Sequence, residues 1–367
     1  MKIPLANPAR ELSKIKNFNI NFEKQLKQGI YVGGSNVIDF ENRLKKLLKA
    51  KYVISVNSGT DALYLSLKAL GLKKNDEVLL PSFTFFATAE CILNIGAKPV
   101  FVDIDPKFYT LDLDDLKNKI TKKTKAVIPV HLFGNNSNIV EVKKIAKENN
   151  LKIIEDVAQA FGSKTKNSKY LGTIGDLGAF SFFPSKTLGG IGDGGCVATN
   201  SYKYFLEIMK LKNHGQIKAY EHEIVGGNSR LDSLNAFVLS EKLKIFDKIK
   251  RTRNNFSNYY MENLSDTNWI SLPEVENINT LLNYFTIKVP SKIRNRVLQY
   301  LNENNIGAAI YYKKPLHLQK AVLDLGIKKY NLPFTEDAAS TVISLPLFAF
   351  PSNDELNYLI EKIKRFK

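Results

Sequence analysis

Through the first 250 or so residues, short apolar runs alternate with longer stretches in which apolar positions recur every three or four residues. The short runs at 52–56, 77–80, 100–102, 126–130, 152–154, 175–182 and 195–199 predict strands. The periodic stretches predict helices around 21–28, 38–48, 62–70, 87–94, 113–120, 139–148 and 203–212, then a long one from 228 to about 249. Strand follows helix with no hairpin signal between them, which predicts a mostly parallel sheet with crossover helices. In such a sheet ligands collect at the carboxyl ends of the strands. The polar loops 57–60, 82–85, 131–134 and 156–159 all fall there. Past Arg251 the pattern changes to strand 284–289, helix 293–302, strand 308–312 and helices 336–342 and 354–365. These predict a smaller α+β domain, with units 1–248 and 249–367.

Composition narrows the class. A hydrophobic share of 44% with 24% charged residues is that of a globular protein. No stretch approaches the ~20 apolar residues of a membrane span, and the opening Met-Lys-Ile-Pro lacks a leader-like apolar run, so a cytoplasmic location is expected. The net charge of +17 invites a nucleic-acid reading. Only eight of the 53 basic residues are Arg, however, and the lysines are scattered along helix-like segments. No basic arm, zinc-finger spacing or aromatic RNA-binding signature accompanies them, so neither nucleic acid nor membrane is expected as a partner. Cys91 and Cys196 lack paired spacing and read as buried reduced thiols. His131, His214, His222 and His317 lack zinc-ligand spacing, so no metal is expected.

Candidate chemistry centres on 179–195. An aromatic run (Phe180, Phe182, Phe183) is cut by Pro184, Lys186 follows, and six of the nine residues from Leu188 to Cys196 are Gly or Asp. A lysine between a buried strand and a tight glycine loop is partly desolvated, which favours a nucleophilic amine able to form a Schiff base. A turn at Asn57-Ser58-Gly59-Thr60 opening a helix suits a phosphate, although Ser58 or Thr60 capping the helix explains the same pattern. Asp156 closes an apolar strand 30 residues before Lys186, and Gln159 follows three residues later. Phe85 stands in a loop where a planar ring could stack.

Eight segments occur in an order that resembles the DegT-type sugar aminotransferases, which use pyridoxal 5′-phosphate. They begin at Ser58-Gly59-Thr60-Asp61, Pro81-Ser82-Phe83-Thr84, Phe101-Val102-Asp103, Pro129-Val130-His131, Glu155-Asp156-Val157, Phe182-Phe183-Pro184-Ser185-Lys186, Gly192-Asp193-Gly194-Gly195 and Asn228-Ser229-Arg230. The resemblance implies the aspartate aminotransferase-like fold type I, an α/β fold with a large mostly parallel sheet domain and a smaller α+β domain. It implies that Lys186 forms the Schiff base, Asp156 pairs with the pyridine nitrogen, Gln159 contacts the ring hydroxyl and Phe85 stacks on the ring. By the same resemblance Gly59, Thr60 and Ser181 would hold the phosphate. Asn228 would reach the cofactor of a second subunit, which implies a homodimer with shared active sites. Arg230 and the loop containing Tyr31 and Gly33 match segments that line the sugar-nucleotide site.

Tyr311-Tyr312-Lys313-Lys314-Pro315-Leu316-His317 is similar to a segment of family members that aminate C3 of nucleotide-linked keto sugars. Tyr311, Tyr312 and His317 are therefore candidate sugar contacts. The expected reaction moves an amino group from L-glutamate to a keto group of a dTDP- or UDP-linked hexose, with 3-keto favoured over 4-keto. A non-catalytic regulatory protein that binds the cofactor is the alternative from another class. Related dehydratases carry histidine in place of the lysine, so Lys186 argues against that chemistry. Two departures from the family pattern, Thr187 after the lysine and Gly227 before Asn228, bear on pocket shape.

Overall fold

The computed structural model describes residues 1–326 and 330–366. The short apolar runs form one seven-stranded sheet from β1 (Tyr52–Val56), β2 (Glu77–Pro81), β3 (Lys98–Val102), β4 (Thr124–Val127), β5 (Lys152–Asp156), β6 (Leu177–Ser181) and β7 (Gly195–Thr199). Across the sheet the order is β1-β7-β6-β5-β4-β2-β3. Neighbours from β6 to β3 are parallel, while β7 runs antiparallel to both β1 and β6. The expected α/β class is what forms.

A sheet covered on both faces needs strands that are apolar throughout. Every residue of β6 and β7 is buried. Successive side chains point to opposite faces, so Val53 and Leu79 join one core while Ile54 and Leu80 join the other. The first core is closed by Phe40 and Leu44 of helix Gly34–Leu48 and by Leu239 of helix Ser233–Lys244. The second is closed by Leu63 and Leu67 of helix Gly59–Ala69.

A third core gathers Phe256, Tyr260, Phe285, Val297 and Leu359, and draws in Ile3 from the start of the chain. An antiparallel pair, Phe285–Lys288 with Val342–Leu345, runs through it. The last helix, Asn353–Lys364, begins with a reciprocal capping box between Ser352 and Glu355. The arm before the sheet is fixed by charge. Glu11 and Lys242 lie 2.9 Å apart with side chains 5% and 1% exposed.

Two predicted elements differ. The run 308–312 is not a strand; Ala309 makes a single bridge to Ser344, and Tyr311 and Tyr312 lie in a turn. Their rings pack against Tyr284, Phe83 and Phe85, so the aromatic signal reports tertiary packing and not a ladder. The strand that does form, Val342–Leu345, follows helix Pro333–Thr341 directly. The long helix expected from 228 is two helices, Ser233–Lys244 and Phe246–Leu264, and the second continues unbroken through position 248. Among the described residues no helix is long and apolar enough to cross a membrane.

Candidate active site

Strands β5 and β6 bring the central groups together. Asp156 pairs in register with Ala179, and the Val157 N–H donates to the Ala179 carbonyl at 2.8 Å. The Asp156 carboxylate is buried and accepts from the Ala158 N–H at 3.0 Å and the Thr88 hydroxyl at 3.1 Å. Burial pushes its proton affinity above the ordinary value, against the pull of those two donors and of the nearby Lys186 charge. A buried carboxylate served by neutral donors alone is stabilised by any cation placed beside it. Lys186 itself stands in the turn after Pro184, where its N–H donates to the Phe183 carbonyl at 2.8 Å.

The preceding residue, Glu155, points to the opposite face. It accepts from the N–H groups of Gly172 at 2.8 Å, Ile174 at 2.7 Å and Gly175 at 2.6 Å, and lies 3.1 Å from His131 Nε2. The Ser137 N–H donates to His131 Nδ1 at 3.1 Å, which leaves the ring proton on Nε2, facing Glu155. Burial opposes ionisation of Glu155, yet His131 and the backbone donors together hold its carboxyl below the ordinary value.

Open backbone donors lie at the start of helix Gly59–Ala69. Ser58 caps the helix by accepting from the Asp61 N–H at 3.0 Å, so capping and anion binding are compatible here. The amides of Gly59 and Thr60, in the first helical turn, have no intrahelical acceptor. Gly59 is packed against Ser181, so closely that a Cβ on Gly59 would come within 2.6 Å of the Ser181 Cβ. The missing side chain at Gly59 is what lets Ser181 approach the helix start this closely.

Phe85 is 58% exposed, and its ring lies 6.1 Å from that of Tyr312. Gln159 accepts from the Phe133 N–H and donates to the Tyr312 hydroxyl, both at 2.9 Å. Burial pushes the phenols of Tyr311 and Tyr312 up, so both keep their protons. His317 is buried, with Nδ1 2.7 Å from Ser82 Oγ and Nε2 3.4 Å from Glu336. It ties the loop carrying Phe85 to the segment carrying Tyr312, and burial pushes its proton affinity down.

The remaining candidates gather elsewhere. Tyr31 accepts from the Ser233 N–H at 2.9 Å, and Val32 bridges Asp232, which sets this loop beside Arg230. Gly33, Arg230 and Lys212 line a pocket of about 480 Å³ whose lining contains neither Lys186, Asp156 nor Phe85. Arg230 donates to Asn213 at 2.8 Å, and burial pushes the Lys212 ammonium down. Asn228 is exposed. Sequence reasoning did not single out Thr88, Lys212 or the His131–Glu155 pair. Thr88 lies in helix Ala87–Asn94, past the 82–85 loop read as ligand-facing, and His131 lies in the 131–134 loop, but the groups they meet come from distant segments. Among the described residues, no group of three or more His, Cys, Asp or Glu is placed to hold a metal ion.

Residues 13–364 match the DegT/DnrJ/EryC1/StrS aminotransferase family. The UDP-2-acetamido-2-deoxy-3-oxo-D-glucuronate aminotransferase of Pseudomonas aeruginosa is 40% identical over 92% of this chain and 93% of its own. A pleiotropic regulatory protein of Geobacillus stearothermophilus is 35% identical over 100% of this chain and 99% of its own. The solved structure of NtdA from Bacillus subtilis with the bound cofactor PMP is 31% identical, with a TM-score of 0.89 over 99% of this chain and 84% of that one. This chain belongs to the DegT/DnrJ/EryC1/StrS aminotransferase family.

Proposed function

We propose that this chain is a cytoplasmic, pyridoxal-phosphate-dependent aminotransferase that moves an amino group from L-glutamate to a 3-keto group of a UDP- or dTDP-linked hexose. The observation that carries the reading is Asp156, a buried carboxylate whose hydrogen-bond donors are all neutral, at the carboxyl end of the central strand β5 and within the influence of the Lys186 charge. The residues fit the cofactor: the Gly59–Ser181 cradle leaves no room for a Cβ, and Phe85 offers an open ring face. When bound, the coenzyme supplies an electron sink that stabilises negative charge at the substrate carbon. Asp156 holds a proton on the pyridine nitrogen. Gly59, Thr60 and Ser181 donate to the phosphate, and the helix dipole favours its charge. Lys186 Nζ would anchor the coenzyme, and its free amine would serve as the acid and base that holds the migrating proton. Gln159 serves the ring hydroxyl, while Tyr311, Tyr312 and Arg230 face the sugar nucleotide and His317 holds the sugar-side loop in place.

The same proposal has the chain act as a homodimer in which Asn228 and the pocket of Gly33 and Arg230 complete the partner copy's site. Exposed apolar side chains support this: Val32, Phe183, Ile191, Tyr220 and Val225, with Phe85 among them. It also treats 1–248 and 249–367 as the two units that enclose the substrate. The P. aeruginosa relative, named for a 3-oxo sugar, supports C3. The regulatory name of the G. stearothermophilus relative keeps one competing reading, binding of the coenzyme without turnover.

The test is to supply the coenzyme, glutamate and a panel of 3-keto and 4-keto nucleotide sugars, and to identify the product by mass spectrometry and NMR. An aminated 3-keto sugar is expected, and Lys186→Ala should lose both the coenzyme's visible absorbance and all turnover. Full activity in that variant would overturn the role of Lys186. A salt-sensitive gel shift at nanomolar protein, without turnover, would favour the regulatory reading.

A further inference from the structure

Both chain neighbours of Lys186 are tied to consecutive residues about a hundred positions away in sequence. Ser185 Oγ lies 3.3 Å from the Tyr284 hydroxyl, and the Thr187 hydroxyl donates to the Asn283 side-chain carbonyl at 3.1 Å. The segment carrying Asn283 and Tyr284 is itself fixed from two sides. Asn283 N–H donates to the Phe133 carbonyl at 2.8 Å, next to the loop that Gln159 holds. From helix Phe246–Leu264, Arg253 donates to the carbonyls of Leu282 at 3.2 Å and Asn283 at 2.8 Å. Arg253 is buried, as are Thr187, Asn283 and Tyr284. The Thr187–Asn283 bond is buried and the Ser185–Tyr284 bond partly so, and the low local dielectric strengthens the first.

We propose that Asn283 and Tyr284 form a two-point clip on the lysine turn and act as positioning residues for the Lys186 amine. The inference rests on the reading of Lys186 as the coenzyme's attachment point. A lysine has a long flexible stem, so the direction of its Cα–Cβ bond decides where Nζ can reach. Tying the residues on both sides fixes the two flanking peptide planes, and with them that direction. One tie alone leaves the turn free to pivot about the other. Thr187, a departure from the family pattern in sequence, is the residue whose hydroxyl makes the second tie. The Asn283 side-chain nitrogen, buried and without a hydrogen-bond partner among the described residues, adds a donor beside the same turn. The clip residues precede strand Phe285–Lys288, so seating of the C-terminal region against the sheet edge also sets the lysine.

The test compares Thr187→Val, Asn283→Ala, Ser185→Ala, Tyr284→Phe and the double variant Thr187→Val/Asn283→Ala. Each is read by turnover, thermal melting and the pH at which the visible band of protein-bound pyridoxal phosphate is half lost. Each single variant should keep the band but lower kcat by about tenfold to a hundredfold, the scale set by small misplacements of a reacting group. KM for the keto sugar should stay within about twofold in all but Tyr284→Phe, whose hydroxyl also meets Tyr311, because the other ties act on the amine and not on sugar binding. The band's midpoint should move by about half a pH unit or more, and the double variant should be no worse than the weaker single. An unmoved midpoint, or effects of Thr187 and Asn283 that simply add, would overturn the clip. A wild-type protein that forms no band would instead overturn the attachment of the coenzyme at Lys186. If Asn283→Ala does not fold, Thr187→Val and Tyr284→Phe, each losing one hydroxyl, decide the matter by the same midpoint.

Discussion

Glu155 and Asp156 are chain neighbours, both carboxylates and both buried, yet the two faces of β5 treat them oppositely. On one face Glu155 is surrounded by three backbone N–H groups and His131, and is held ionised. On the other, Asp156 has two neutral donors and burial raises its proton affinity. The first carboxylate is saturated by fixed donors and serves the fold by binding the loop Gly172–Gly175 to the sheet. The second retains electrostatic demand, which a cationic ring nitrogen would satisfy. Burial alone therefore does not mark a functional carboxylate; burial with an incomplete set of donors does.

Three experiments sharpen that contrast. The largest effect is expected from Glu155→Ala, which strips one partner from a buried network and should cost about 3–5 kcal/mol of unfolding free energy, measured by denaturant titration. A change within about 0.5 kcal/mol, the ordinary range for a surface site, would show that the donors do not depend on the carboxylate. Asp156→Asn should not lower the melting temperature but should lower kcat by about 10²–10³-fold, as expected when a preorganised charge is neutralised. Equal losses of stability from both substitutions would erase the distinction between the two faces.

The smallest effect is in the pH dependence of the coenzyme-free protein. Glu155 has its folded value depressed below the ordinary 4.5, so its stabilisation is present above 4.5 and is lost as pH falls through the depressed value. Asp156 has its folded value raised above the ordinary 3.8, so it favours the fold below 3.8 and that contribution is lost as pH rises through the raised value. Unfolding titrations between about pH 3 and pH 7 should therefore show Glu155→Gln flattening the acid-side loss of stability, and Asp156→Asn gaining stability toward neutral pH. Parallel curves for the two variants would contradict the opposed environments.

Much of the site was legible along the chain because its parts are local. Strand ends such as Val56, Pro81, Asp156 and Ser181 are marked by apolar runs that stop at polar or glycine-rich turns, and ligand loops follow directly. Gly59 beside Ser58 announces a helix start with open amides. The misreadings came where local propensity was overruled. Tyr311 and Tyr312 have strand-like chemistry, but their rings are spent on Tyr284, Phe83 and Phe85. Residues 228–232 precede a helix and not begin it, because Asn57 and Asn213 hold them in place through Ser229 and Asn228. Nothing near Asn283 or Tyr284 in sequence points to Lys186, since neither carries a distinctive motif.

Periodicity and turn chemistry travel with the chain, so the order of strands and helices, and the placing of Asp156 and Gly59 at element ends and of Lys186 in the turn after β6, were set by the sequence alone. Proton affinity and aim do not travel that way. Which of two adjacent carboxylates is held ionised depends on whether amides from residues 172–175 or a hydroxyl from Thr88 arrive beside it. The fixing of Lys186 depends likewise on residues 283 and 284 arriving from beyond helix Phe246–Leu264. Those arrivals follow from packing of distant segments and from exclusion of water, and only the folded molecule decides them.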